Sequence, residues 1–150
     1  MRVATAFAFA AMAVATIGAT AVVAQQDPIA ARKALMKENN DNAKIVVAMI
    51  RGQAPFDAAK VDAAFAQWED TAKKLPGLFP EDSKTGGKTR ATPKIWETKS
   101  DFDAKAAAFG KAVADNRAKA KESLDGLKVA MGPVGDGCDN CHKDYRQSQR

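Results

Sequence analysis

The 150-residue chain contains one histidine and two cysteines. That scarcity excludes several chemistries. A structural zinc site takes four protein ligands, usually Cys and His. Only three such groups exist here, so that site cannot be assembled. No segment alternates apolar and polar residues with period two, and strands are not expected. Without a βαβ context, a thioredoxin-like use of the paired cysteines also falls away. The net charge is +5, but the basic residues are spread along the chain and leave no nucleic-acid footprint. No residues suggest a catalytic constellation, and turnover is not predicted.

What is present starts with "MRVATAFAFAAMAVATIGATAVVAQQ". A minimal basic start, an uncharged apolar run and small residues before Gln25 read as a secretory signal peptide over 1–24, cut after Ala24, with a cut after Ala21 as the alternative. A membrane anchor is the competing reading. The run is short for a span of ~20 residues, and its end is rich in Ala and Thr rather than charge. Residues 25–150 then form one domain with room for one core and no membrane span. Such a chain is exported to the periplasm, a compartment that tolerates disulfides.

The apolar spacing predicts four helices. Asp27-Pro28 opens the first, which carries Ile29, Met36, Ala43 and Ile50 at seven-residue intervals and ends at Gly52 and Pro55. The poor helix formers "NNDN" at 39–42 lie inside it, yet the apolar phase is the same on both sides. The second starts near Asp57, with Val61, Phe65, Trp68, Ala72 and Leu75 on one face, and "LPGLFP" closes it. Residues 81–92, "EDSKTGGKTRAT", read as a polar loop that packs little. Thr92-Pro93 caps a third helix reaching about Lys121, with Ile95, Phe102, Ala106, Phe109 and Val113 facing inward. The fourth runs from about Ser123 and carries Leu124, Leu127, Met131, Val134, Cys138, Cys141 and Tyr145 as one stripe. Pro133 and its neighbouring glycines argue for a kink, or for a loop at 132–137 before a short terminal helix. Four amphipathic helices with short connections predict an all-α antiparallel bundle.

Both cysteines and the histidine fall in "GCDNCHKDYR", residues 137–146. C-x-x-C-H is the pattern for covalent attachment of one c-type haem. Two thiols, Cys138 and Cys141, add to the two vinyl groups, and the adjacent His142 offers an imidazole to the iron. Spacings of three and four residues bring all three to one side of a helix. A plain disulfide is the alternative, and it leaves the neighbouring histidine unexplained. Gly132, Gly135 and Gly137 would give a flat macrocycle room on this helix, or simply mark a loop.

The position of this motif, at the C-terminal end of an exported four-helix chain, resembles the class II cytochromes c, the cytochrome c′ family. "ARKALMKENN", "LPGLFP", "PKIW" and "CDNCHKDYR" carry the resemblance. It implies a left-handed antiparallel four-helix bundle around one haem c, with His142 as the proximal axial ligand. In the low-spin branch a methionine of the first helix is the sixth ligand, and "KALMKEN" resembles that branch, with Met36 in the place. On the residues alone, a methionine at such a position is also ordinary core filler. Met49 lies roughly 20 Å further along the same helix, Met131 is on the haem-bearing helix itself, and Leu35 would cover the iron if the first helix were turned by one position. Arg146, four residues after His142, is a candidate propionate contact or a shield for the imidazole, or else a cation suited to a helix C-terminus. Lys33 and Lys37 read as surface lysines or docking groups.

The resemblance implies electron transfer through a His/Met-ligated low-spin haem, with other redox proteins as partners, their docking surfaces acidic to match the basic chain. The alternative is a high-spin protein that binds nitric oxide or carbon monoxide at an open distal face. Monomer and homodimer are both compatible with the sequence.

Overall fold

Asp27 Oδ1 accepts a hydrogen bond from the Ile29 backbone N–H (2.9 Å), Pro28 follows, and α1 runs over Pro28–Ile50. The structure, a computed structural model, describes residues 27–148, so the expected signal peptide lies outside the described residues. "NNDN" does not break α1. Its side chains find partners instead: Asn39 Oδ1 accepts from the Thr71 hydroxyl (2.7 Å), Asn42 donates to the Glu38 carbonyl (3.1 Å), and Asp41 pairs with Lys37 (2.6 Å).

Asp57 caps α2, Ala58–Lys74, by accepting from the Ala59 and Lys60 N–H groups. Two 3₁₀ turns, Leu75–Leu78 and Glu81–Ser83, carry the chain across the end of the bundle. The third predicted helix is divided. A single turn, α3 (Lys94–Glu97), is separated from α4 (Lys99–Ala120) by Thr98, and neither Thr92 nor Pro93 supplies a side-chain cap. Thr98 leaves helical geometry (φ −127°, ψ 49°) and its hydroxyl donates to the Lys94 carbonyl (2.9 Å), a local bond that competes with helix propagation. The helix α5, Leu124–Tyr145, starts at Ser123, whose hydroxyl accepts from the Gly126 N–H (3.0 Å). It passes through Pro133 without interruption, so the loop at 132–137 does not occur.

Side-chain pairs fix the packing. Asn39 meets Trp68 and Thr71, Arg117 meets Asp62 and Glu69, and Asp101, Lys105 and Phe109 meet Tyr145, Asp144 and Gly137 in turn. Residue numbers rise along α4 as they fall along α5; likewise Gly110 meets Ala72 where Arg117 meets Asp62, and Arg32 meets Leu78 where Asn39 meets Trp68, which makes consecutive long helices antiparallel. The four long helices form an all-α four-helix bundle. Among the described residues there is no strand, only an isolated bridge between Ala91 and Arg146.

The predicted faces of α2 and α4 are buried as expected, apart from a half-buried Leu75. The face of α1 is turned. Ile29, Arg32, Val46 and Met49 are its buried residues, whereas Met36, Ala43 and Ile50 are half-buried. The core has two parts. A larger aliphatic cluster contains Val46, Met49, Val61, Phe65, Trp68, Val113, Leu127 and Val134. A smaller one, Phe79, Ile95, Phe102 and Tyr145, is bound by edge-to-face rings: Phe79–Phe102 at 4.9 Å and Phe102–Tyr145 at 5.2 Å between centroids.

Candidate functional site

The C-terminal half of α5 presents Cys138, Cys141 and His142 on successive turns. No disulfide joins Cys138 to Cys141. Cys141 packs against the aromatic cluster, and Cys138 is largely exposed. The Cys138 sulfur nonetheless lies among enough protein atoms that desolvation, aided by the Asp139 charge, pushes its thiol up to about 11. Burial also raises Cys141. Neither is a thiolate near neutral pH in this fold, unlike the attacking cysteine of a thiol oxidoreductase. Burial, then the Arg146 charge with a smaller effect of Arg90, pulls His142 below its ordinary value against the pull of Asp139. These influences favour the neutral, metal-binding form of the imidazole.

Gly137 marks a close approach of α5 to α4. A Cβ there would lie 3.0 Å from Phe109 Cδ2 and 3.4 Å from its Cα, so its smallness serves helix packing rather than room for a macrocycle. At Gly132 and Gly135 a Cβ would meet nothing within 4 Å.

The end of α5 is held from outside. Tyr145 donates to Asp101 Oδ2 (2.6 Å) and lies 2.8 Å from the Thr98 hydroxyl. Asp144 pairs with Lys94 (3.0 Å) and with Lys105, which hold its carboxyl down at about 2. The Thr92 N–H donates to the Tyr145 carbonyl (3.0 Å), and the Gln147 N–H to the Arg90 carbonyl (2.8 Å).

The same connecting segment grips α1, so the polar loop 81–92 does not lie idle. Ser83 is buried, and the reason is Arg32. This guanidinium is 4% exposed and donates to Leu78 O (3.3 Å), Ser83 Oγ (3.1 Å), Ser83 O (3.0 Å) and Thr89 Oγ1 (3.4 Å). It stacks over Phe79, 4.7 Å from the ring centroid. Every acceptor is neutral, and Arg32 Nε has no partner. Desolvation lowers its pKa, with Asp27 partly offsetting. Sequence reasoning missed Arg32, although a cation three residues after Ile29, on the inward stripe of α1, was the available signal.

Met36 lies one turn beyond Arg32. It is half-buried, as is Leu35, and neither joins either core cluster. The other two described methionines are committed: Met49 is 2% exposed inside the larger cluster, and Met131 packs against it. Lys37 is paired with Asp41 and exposed, and Lys33 is exposed, as expected of surface lysines. Arg146 is exposed beside His142, in a cleft also lined by Arg90, Asp139 and Lys143.

Comparison with known proteins adds the lineage. The family model described as Cytochrome C' matches residues 27–146. The chain belongs to the cytochrome c′ family. It is 42% identical over 135 residues to a cytochrome c-556 of Rhodopseudomonas palustris, covering 87% of this chain and 90% of that one. It is 44% identical over 130 residues to a cytochrome c′ of the same organism, covering 87% and 88%. A solved cytochrome c′ from R. palustris superposes with a TM-score of 0.80 at 42% identity, covering 84% of this chain and all of that one. As a cytochrome c′ family member the chain is a c-type cytochrome with one covalently bound haem c. Proteins of this family are haem electron carriers or gas binders. No helix among the described residues is long and apolar enough to cross a membrane.

Proposed function

We propose that this chain is a periplasmic electron carrier whose haem iron is held between His142 and Met36. Haem c supplies a one-electron iron couple, and a methionine axial ligand raises its potential. The residues suit that group on two observations. The donor set at 138–142 is two thiols and a neutral imidazole on one helical surface. Arg32 is a nearly buried cation with neutral acceptors and an unpartnered Nε, a setting that suits a carboxylate such as a haem propionate.

In this reading Cys138 and Cys141 form the thioether links and His142 is the proximal ligand. Arg32 and Arg146 are the cations available to the propionates. The aromatic cluster and the Tyr145–Asp101 bond fix the end of α5, so the imidazole is held rather than free to reorient. The observation that carries Met36 is its isolation: of the methionines on the bundle it is the one that core packing does not use.

A second reading rests on Leu35, which is equally half-buried and outside both clusters. With Leu35 over the iron the distal position is open, and the protein binds nitric oxide or carbon monoxide. Optical spectra of the ferric and ferrous protein decide between them. The carrier reading expects a low-spin spectrum that Met36→Ala converts to high-spin, with carbon monoxide binding gained. A high-spin wild-type spectrum, unchanged by that substitution, assigns the protein to gas binding.

A further inference from the structure

We propose that the cleft between loop residue Arg90 and the end of α5 is the face on which an electron-transfer partner protein docks through a carboxylate-rich surface. This rests on the carrier reading above. The cleft, about 380 Å³, is lined by Arg90, His142, Lys143 and Arg146 with Asp139 as its acidic member.

The charge arrangement here is a cluster: Lys33, Arg51, Lys73, Lys88 and Lys119 also form no ion pair among the described residues, but they are single exposed cations and none lines this cleft. Elsewhere cations are commonly neutralised locally: Lys37 by Asp41, Lys74 by Asp70, Lys99 by Asp103, Lys111 by Asp115. Among the described residues Arg90, Lys143 and Arg146 have no carboxylate within ion-pair distance. A helix C-terminus alone accounts for cations at 143 and 146. It does not account for Arg90, which comes from a separate segment. Its guanidinium is tied to the Gln147 carbonyl through Nε (3.1 Å) and Nη2 (2.5 Å). A fixed cation therefore faces two others around the edge of the candidate iron ligand. Even with Arg146 given to a propionate, Arg90 and Lys143 stay uncompensated, and like charges concentrated at one edge attract a surface of opposite sign and speed encounter.

The test uses the holoprotein and a reduced plant-type [2Fe–2S] ferredoxin as an acidic protein donor. Each ferredoxin is oxidised by one electron and each ferric cytochrome is reduced by one. The second-order rate, followed by stopped flow, should fall about tenfold or more from low to about 0.3 M ionic strength. Lys143→Glu should remove most of the low-salt advantage. Lys119→Glu makes the same charge change at the opposite end of α4 and should remove little. Calorimetric binding of the two oxidised proteins at low salt should show the same order. Arg90→Gln is the second cleft variant, and unchanged optical spectra certify the fold of all three. Equal loss in the Lys143 and Lys119 variants would mean net charge acts without a docking face and would overturn the proposal. So would flat ferredoxin rates accompanied by Lys143-dependent binding to phosphatidylglycerol vesicles. A high-spin wild-type spectrum would sink the carrier reading whatever these rates are, whereas a low-spin spectrum with equal losses sinks the docking face alone.

Discussion

Arg32 shows how much one side chain can organise. Its donors hold the 3₁₀ turn at Ser83 and the loop at Thr89 against α1, and its plane covers Phe79. Arg32→Met keeps the packing but strips buried carbonyls of their donors. The expected loss is about 2–3 kcal/mol, read from the urea midpoint of the holoprotein. If Arg32 serves a propionate as proposed, the substitution also removes a cation near the iron, and the reduction potential should fall in a redox titration. At this scale the sequence was legible where chemistry leaves a pattern. Cys138, Cys141 and His142 announce themselves by spacing, whereas Met36 rests on the resemblance and stays a proposal. Arg32 was not legible, because a lone arginine carries no spacing, and its meaning comes from acceptors about 50 residues away.

Among the elements, the close approaches matter most. At the turn from α4 into α5, a Cβ on Gly126 would run into the Lys119 carbonyl oxygen, which is backbone and cannot step aside. Gly126→Ala should therefore destabilise by about 1–3 kcal/mol, outweighing a helix-propensity gain of up to about 1 kcal/mol. A denaturant curve with a lower midpoint and unchanged slope would confirm it. Helix existence and the inward faces of α2 and α4 were readable from apolar periodicity. Two features were not. The break at Thr98 depends on a hydroxyl bond and on Tyr145 arriving from the far end of the chain. The survival of α5 through Pro133 depends on packing along its length, against which a local propensity is a weak guide.

For the whole molecule, acid stability should follow the ion pairs that cross between helices. Arg117 grips Asp62 with two bonds, Nε to Oδ1 at 2.8 Å and Nη2 to Oδ2 at 3.0 Å, joining α2 to α4. This contact, with lesser help from Lys121, lowers the Asp62 carboxyl from 3.8 to about 2. A carboxyl depressed on folding stabilises the fold above its unfolded value. That contribution is present above about pH 4 and is lost as pH falls towards 2. Thermal midpoints of Asp62→Asn should lie below wild type at pH 6 and converge with it near pH 2. The bundle itself was legible from four amphipathic segments. The division of its core was not, because period assigns residues to faces but not to separate clusters.

That division has a practical use. The chain contains two tryptophans. Trp68 lies in the aliphatic cluster, while Trp96 packs on the aromatic one, its indole N–H donating to the Phe79 (3.0 Å) and Pro80 (3.1 Å) carbonyls. The molecule thus contains a separate fluorescent reporter for each half of its interior. Replacing one indole with Phe leaves the other to register the melting of its own half, and coincident curves would identify the two clusters as one cooperative unit.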